Sequence, residues 1–297
     1  MVSDVAWVFP GQGSQRVGMG KALAERSAAA RAVFETVDSA LGFPLSQTIF
    51  EGPDEALVST KNQQPAILAT SIAYFTVLRE EGSLPDPVCV AGHSLGEYTA
   101  LVAAGALDLA DAARIVRRRG ELMEEHGRGG MVAVLGLDDA VLEEVARETG
   151  VEVANFNAPG QTTLSGRSDA LEAAAALAKE RGARRVVTLP VNGAFHSSLM
   201  QPVAEALWPM IEAAPMREPI APLIADVDAR PLRDPDAIRA ELLEQITASV
   251  RWVDVVRAAH EHGARRFFEI GPGKVLSGLI SRIVPGVEAV PVEPLLG

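Results

Sequence analysis

A Gly-x-Ser-x-Gly motif centred on Ser94 follows a short apolar run and leads directly into a segment of helical character. This order of strand, motif and helix is typical of a nucleophile elbow, in which a sharp turn lifts the serine hydroxyl out of the strand end. Gly92 and Gly96 leave room for that turn because neither carries a side chain. Free N–H groups at the start of the following helix favour developing negative charge. The motif therefore predicts a nucleophile at Ser94.

A serine nucleophile needs a base, and the chain contains five histidines. His93 is next to Ser94, but neighbouring strand residues point to opposite faces, so we expect it to rigidify the turn instead. Three others lie in polar segments and are predicted to face solvent: His126, His260 and His262. His196 follows a strand and a loop, where catalytic groups collect, and is the predicted base. The alternative is that His196 has no catalytic role and only adjoins the start of a helix.

Arg119 lies on the apolar stripe of a helix predicted over residues 109–125. The stripe contains Ala112, Ile115 and Leu122, and Arg119 is four residues after Ile115 and three before Leu122. A guanidinium on a core-facing stripe is costly unless it is paired, so it should meet an internal carboxylate or an anionic ligand. Its planar fork suits a carboxylate, which would let a serine acyltransferase select a dicarboxylic acyl group. The alternative is that the side chain reaches the surface.

The composition narrows the class of protein. With 297 residues, 48% of them hydrophobic, the chain can bury a sizeable core as one large domain with an insertion or as two domains. The formal net charge of −12 disfavours non-specific binding to nucleic acid or membranes. Cys89 is the single cysteine, so an internal disulfide is excluded. Residues 1–4 do not resemble a secretory leader, and the apolar run at residues 98–107 is too short to span a bilayer. We therefore expect a cytoplasmic protein.

Strand and helix patterns alternate along the chain, which indicates an α/β fold. Helices are predicted over residues 21–41, 65–81, 97–104 and 109–125. Between about residues 128 and 194 the order becomes β-α-β-β-α-β, which is typical of a ferredoxin-like unit that can be inserted into a larger domain. We therefore predict a small subdomain at residues 128–194 and a large one formed by residues 1–127 and 195–297.

Together these motifs resemble the malonyl-CoA:acyl carrier protein transacylases, including the discrete acyltransferases that serve polyketide synthases. The resemblance runs along nearly the whole chain. It is carried by FPGQGSQ (9–15), NQQPA (62–66), GHSLGEY (92–98), RG (119–120), NFNAPGQ (155–161), GAFH (193–196) and EIGPG (269–273). It implies an α/β-hydrolase-like large subdomain with an inserted ferredoxin-like small subdomain.

The resemblance implies a role for each of the residues that carry chemistry. Ser94 would be the nucleophile, His196 its base, and Arg119 the clamp on the malonyl carboxylate. The backbone N–H groups of Gln12 and Leu95 would form the oxyanion hole.

Further positions also match the family. Gln245 corresponds to the residue that orients the histidine, and a carbonyl acceptor there could hold the imidazole tautomer without a third acid. Gln63 and Asn157 lie in family motifs and would contact substrate, although a loop-structuring role is an equal alternative.

The implied reaction is a ping-pong transfer of malonyl from malonyl-CoA, through malonyl-Ser94, to the phosphopantetheine thiol of an acyl carrier protein in fatty-acid or polyketide synthesis. No bound cofactor and no metal are expected. Leu95 and Phe195, together with Ala194, resemble malonyl-selective members, and Phe195 would crowd a 2-methyl branch.

An acidic carrier protein would need a basic docking patch on this acidic chain. We predict a patch between an exposed arc of the 109–125 helix, with Arg117 and Arg118, and the small subdomain, with Lys179 and Arg184. The alternative is that these residues are ordinary solvated charges on the surfaces of their helices. For the protein as a whole, a serine hydrolase that uses water as acceptor and a catalytically silent scaffold subunit remain rival interpretations.

Overall fold

Strands and helices alternate along the chain in the structure, a computed structural model that describes residues 3–191 and 193–296. The strands are β1 (Val5–Phe9), β2 (Cys89–Gly92), β3 (Gly130–Leu135), β4 (Glu152–Ala158), β5 (Gln161–Gly166), β6 (Arg185–Thr188), β7 (Leu223–Ile224), β8 (Pro231–Leu232), β9 (Arg266–Glu269) and β10 (Glu288–Pro291). The helices are α1 (Lys21–Arg26), α2 (Ala28–Leu41), α3 (Leu45–Glu51), α4 (Asp54–Val58), α5 (Thr60–Glu80), α6 (Gly96–Ala103), α7 (Leu109–His126), α8 (Asp139–Thr149), α9 (Ser168–Glu180), α10 (Gln201–Ala213), α11 (Pro235–Glu244), α12 (Trp252–Glu261) and α13 (Val275–Ile283).

The larger sheet has the strand order β10-β9-β1-β2-β7-β8 and is parallel except at its β7–β8 edge. Every residue of β1 and β2 is buried, as expected for central parallel strands covered on both faces. Because β1 and β2 run in parallel, with Phe9 opposite Gly92, the loop after β1 and the turn after β2 meet at the same edge of the sheet. Ligands of open parallel sheets bind at that edge.

The smaller sheet is antiparallel, with the order β4-β5-β3-β6, and α8 and α9 pack against it. This is the ferredoxin-like arrangement, and all six of its elements fall between residues 128 and 194. Phe156 donates its N–H to the carbonyl of Val250, and Val250 donates to Ala154, so β4 is joined to the large subdomain by backbone hydrogen bonds. The α/β fold with an inserted small subdomain is confirmed, and the boundaries at residues 127 and 195 remain a prediction.

Two predicted helices differ from those observed. The single helix expected over residues 21–41 is two, because Ser27 is extended and its side chain accepts a hydrogen bond from the Ala30 N–H as the N-cap of α2. Helix α5 begins at Thr60 rather than at Pro65. Pro65 cannot donate to the carbonyl of Lys61, and a guanidinium N–H from α7 reaches that carbonyl instead. No helix among the described residues is long and apolar enough to span a membrane.

Two glycines allow the turn after β2 to pack against β1. A side chain at Gly92 would place its Cβ 1.9 Å from the carbonyl carbon of Gly96, and one at Gly96 would lie 2.2 Å from the carbonyl oxygen of Phe9. These contacts are with backbone atoms, which cannot rotate away. The spacing Gly-x-Ser-x-Gly is therefore a steric requirement of this turn.

We expect Gly96→Ala to lower the free energy of unfolding by about 1–3 kcal/mol, because the start of α6 must move away from the end of β1. Gly278 provides a matched control: it lies within α13, and a Cβ there meets no atom within 4 Å. Gly278→Ala should raise the free energy of unfolding by about 0.5–1 kcal/mol. Urea unfolding of both variants measures this, and a Gly96→Ala protein as stable as the wild type would contradict the steric argument.

Candidate active site

Ser94 lies between the end of β2 and the start of α6, at the edge of the larger sheet where parallel strands end. Its φ of 53° is in the left-handed region, which costs a non-glycine residue about 1–2 kcal/mol. The predicted nucleophile elbow is therefore present, with the strained serine that this turn requires.

The Ser94 hydroxyl meets the predicted base. Ser94 Oγ lies 2.8 Å from His196 Nε2, and both residues are buried. His196 Nδ1 lies 2.9 Å from the carbonyl oxygen of Gln245 and 3.2 Å from that of Ala248. Because a carbonyl only accepts, Nδ1 carries the proton and Nε2 is free to accept the serine proton. Gln245 thus contacts the predicted base through its main chain rather than its side chain.

Burial, together with the nearby positive charge of Arg119, lowers the pKa of His196 to about 3. The hydrogen bonds that Nδ1 donates to the two carbonyls act in the opposite direction. The imidazole is therefore neutral throughout the physiological pH range, which is the state a general base needs before it accepts a proton.

Arg119 is fully buried, so the alternative that it reaches the surface is wrong. Its guanidinium donates to Ser94 Oγ, Gln64 Oε1 and Gln245 Oε1, each at 3.0 Å. Among the described residues no carboxylate forms an ion pair with Arg119, and its Nε has no hydrogen-bond partner. A buried cation whose only partners are neutral is suited to bind an anion brought by a ligand.

Close packing of α7 on α5 brings Arg119 to this position. The neighbouring Gly120 has no side chain, and a Cβ there would lie 2.6 Å from the Cα of Lys61 and from the carbonyl oxygen of Thr60. The two helices therefore touch near the start of α5, one turn from Gln64.

A chain of glutamine amides connects the loop after β1 to this guanidinium. Gln12 Nε2 donates to Gln63 Oε1 at 2.5 Å, and Gln64 Nε2 approaches Gln12 Oε1 at 3.4 Å. Sequence reasoning selected Gln63 and missed Gln64, which is the residue that contacts Arg119. Gln64 lies on the same helix face as Leu68, and a fully buried glutamine at an apolar spacing is the signal that could have identified it.

Three acidic residues behind the elbow were given no role from the sequence. Glu97, Asp226 and Glu241 are buried, and each accepts a hydrogen bond from a backbone N–H. Burial and mutual repulsion raise the pKa of Glu97 and of Asp226 well above their ordinary values, and burial raises that of Glu241 to about 7. The Gln245 amide connects this group to the cation, because its Nε2 donates to Glu97 Oε2 at 2.6 Å while its Oε1 accepts from Arg119.

The two predicted oxyanion donors lie in loops at the same sheet edge. Among the described residues, the backbone N–H groups of Gln12 and Leu95 have no acceptor within the protein. Leu95 is the N-cap residue of α6, where the helix dipole also favours negative charge. Both amides are therefore available to a ligand oxygen, and their role as an oxyanion hole remains a prediction.

Two cavities flank the loop after β1, and Gln12 lines both. The larger, of about 730 Å³, lies between Gln63 on α5 and residues 189–191 of the small subdomain. The smaller, of about 280 Å³, is lined by His93 and Asn157 among others. Asn157 Oδ1 accepts a hydrogen bond of 2.9 Å from His93 Nε2, which supports a structural role for His93 and connects β4 to the elbow.

The remaining predicted residues are more scattered. Phe195 is buried in the main core immediately before His196. Arg117 and Arg118, on the predicted arc of α7, are half-buried and form ion pairs with glutamates of their own helix, since acidic residues three to seven positions away are within reach. Their part in docking remains a prediction. On the small subdomain Lys179 and Arg184 are exposed.

Comparisons with known proteins agree with this geometry. The acyl transferase domain family matches residues 6–297. The malonyl CoA-acyl carrier protein transacylase of Bacillus subtilis is 46% identical over 290 residues, covering 95% of this chain and 91% of that protein. The crystal structure of an acyl carrier protein S-malonyltransferase from Vibrio cholerae superposes with a TM-score of 0.94 at 41% identity, covering 97% of this chain and 96% of that one. A malonyl-transacylase solved with a type II polyketide synthase acyl-carrier protein gives 0.92 at 40% identity, covering 97% and 95%.

The low pKa of His196 can be measured directly. With ¹⁵N-labelled histidine, the ring resonances of His196 should keep the pattern of a neutral ring protonated at Nδ1 from pH 8 down to pH 5, because its pKa is about 3. A His196→Asn variant assigns the resonances. Arg119→Met removes the neighbouring positive charge and should raise the pH at which His196 becomes protonated. Protonation of the wild-type ring near pH 6.5 would contradict the prediction.

Proposed function

The chain belongs to the acyl transferase domain family, and we propose that Ser94 carries a malonyl group from malonyl-CoA to the phosphopantetheine thiol of an acyl carrier protein. The protein is an acyltransferase, as its relatives of 40–46% identity are. Carrier-protein transfer of this kind supplies the extender unit in fatty-acid or polyketide synthesis.

The observation that carries the proposal is the distance between the nucleophile and the cation. Arg119 Nη2 lies 3.0 Å from Ser94 Oγ, and the guanidinium has only neutral partners. In a malonyl thioester a single methylene separates the carbonyl carbon from the carboxylate. A carboxylate held by Arg119 therefore brings the thioester carbonyl within reach of Ser94, and this orientation accelerates the reaction.

In the first half-reaction, Ser94 Oγ transfers its proton to His196 Nε2 as it attacks the thioester carbonyl. The oxyanion of the tetrahedral intermediate accepts hydrogen bonds from the backbone N–H groups of Gln12 and Leu95. When the C–S bond breaks, the CoA sulfur takes the proton from His196. The products are malonyl-Ser94, free CoA thiol and a neutral imidazole.

The second half-reaction reverses these steps with a different thiol. The phosphopantetheine thiol of the carrier protein gives its proton to His196 Nε2 and attacks the ester carbonyl, and Ser94 Oγ recovers the proton as the ester bond breaks. Arg119 holds the malonyl carboxylate through both halves. The carbonyl therefore remains oriented toward the incoming thiol, and water is less favourably placed to attack it.

Gln63, Asn157 and Phe195 complete the proposed substrate-binding set. Gln63 and Asn157 line the two cavities through which a thioester arm could approach Gln12, and Phe195 would crowd a 2-methyl branch. Because one methyl group is worth about 1–3 kcal/mol in a pocket, Phe195 would give a preference for malonyl over methylmalonyl.

The carrier protein is the partner, and its docking surface remains a proposal. The ion pairs of Arg117 and Arg118 with glutamates reduce the positive charge that α7 can offer to a carrier protein. Lys179 and Arg184 are exposed and have no ion pair among the described residues. We therefore expect the small subdomain to supply the positive charge. We also propose that the enzyme acts in the cytoplasm and needs no bound cofactor.

Intact-protein mass spectrometry tests the reaction itself. Mixing the wild type with malonyl-CoA should add one malonyl mass, and a holo acyl carrier protein should then remove it and gain the same mass. Ser94→Ala should give no adduct. Free malonate without loading of the carrier would indicate a hydrolase, and the absence of an adduct with any acyl-CoA would indicate a scaffold subunit.

Arg119→Ala should lower the preference for malonyl-CoA over acetyl-CoA, measured as the ratio of their kcat/KM values, by about 10- to 150-fold. This range corresponds to the loss of a hydrogen bond to a charged group. Arg257→Ala removes an exposed guanidinium from α12 and should leave the ratio unchanged. An unaltered preference in Arg119→Ala would refute the clamp.

A further inference from the structure

The main chain of the nucleophile is held by a side chain from another part of the sequence. The N–H of Ser94 donates to Asp226 Oδ2 at 2.7 Å, and Asp226 is fully buried in the turn that follows β7. The two residues are 132 positions apart. Nothing in the motif around Ser94 requires this contact.

Other backbone N–H groups of the same turn have main-chain acceptors. His93 donates to Phe9, Gly96 to His93, and Glu97 to Ser94, each through a carbonyl oxygen. Ser94 differs because its N–H meets a carboxyl group. A buried N–H without an acceptor would be costly, so the left-handed turn at Ser94 depends on a partner at this place.

A second hydrogen bond runs in the opposite direction, from the main chain of Asp226 to the residue that follows the elbow. The backbone N–H of Asp226 donates to Glu97 Oε1 at 2.9 Å, and Glu97 lies on α6 directly after the elbow. The carbonyl of Asp226 accepts from the N–H of Arg251 at 2.9 Å. Asp226 is therefore fixed from both sides, which allows its carboxyl group to fix Ser94 in turn.

We propose that Asp226 is a positioning residue of the acyl transfer, a neutral hydrogen-bond acceptor that holds the main chain of Ser94 so that its hydroxyl meets His196. This inference rests on the proposed role of Ser94 as nucleophile. Asp226 does not touch the reacting atoms and acts only through the backbone of the elbow.

The surroundings of Asp226 favour the neutral form of its carboxyl group. Glu97 on α6 and Glu241 on α11 face it, and Arg119 on α7 is the nearby cation. Its Oδ1 is buried and has no partner among the described residues. Burial and the neighbouring Glu241 raise the pKa of Asp226 well above its ordinary value, and the hydrogen bond from Ser94 with the charge of Arg119 only partly offsets this. A bare buried carboxylate would cost much more than a neutral acid.

Two substitutions distinguish the effect of the acceptor oxygen of Asp226 from the effect of a charge at that position. Asp226→Asn keeps an acceptor oxygen without a charge and should leave kcat for malonyl-Ser94 formation within about threefold of the wild type. Asp226→Leu removes the acceptor and should lower kcat by about 10- to 100-fold, as expected for an unsatisfied N–H. The KM for malonyl-CoA should stay near the wild-type value in both, since the Arg119 contacts are intact. Asp38→Leu is the control, because it removes a carboxyl acceptor from the Ser46 N–H away from the site.

Infrared difference spectra at pH 7.5 report the charge state independently. The wild type minus Asp226→Asn should show the band of a protonated carboxylic acid. A carboxylate band in this difference spectrum would show that Asp226 is ionised and would overturn the neutral-acceptor proposal. A large fall in kcat for Asp226→Asn would overturn it too. Both outcomes can be read even if Asp226→Leu does not fold. Wild-type kcat in a folded Asp226→Leu protein would overturn the positioning role. If the wild type itself forms no malonyl adduct, the proposed function fails instead.

Discussion

A guanidinium enclosed in the protein interior constrains the whole of this site. Arg119 must keep its charge without water, and the protein surrounds it with amide oxygens and a hydroxyl in place of a carboxylate. Burial and this positive charge together lower the pKa of His196. The cation and the buried acids behind it determine the electrostatics of the elbow. Because no carboxylate among the described residues forms an ion pair with Arg119, its charge is available to an anionic ligand.

The elbow depends on a second constraint, which is steric. The left-handed turn at Ser94, between β2 and α6, forms only because Gly92 and Gly96, two residues before and two after the serine, have no side chains. The strain is balanced by hydrogen bonds that run in both directions between the elbow and the turn after β7, through Ser94, Glu97 and Asp226. The geometry of the elbow is thus maintained by buried polar groups that lie behind Ser94 and His196.

The small subdomain contributes to the site from outside the main sheet. Asn157 on β4 bonds His93 beside the nucleophile, and Leu189 at the end of the small subdomain lines both cavities with Gln12. The insertion therefore forms one wall of the approach to the elbow.

Features with a local cause could be predicted from the sequence. The spacing of the glycines predicted the elbow, and the periodicity of hydrophobic residues predicted the α/β alternation and the order of the inserted ferredoxin-like unit. The position of Arg119 on an apolar stripe predicted its burial. The break at Ser27 and the early start of α5 were missed, because caps and packing override periodicity. Gln64 and Asp226 could not be assigned a role from sequence. Their partners lie 55 and 132 residues away, and only the packing of helices and strands brings those atoms within hydrogen-bond distance.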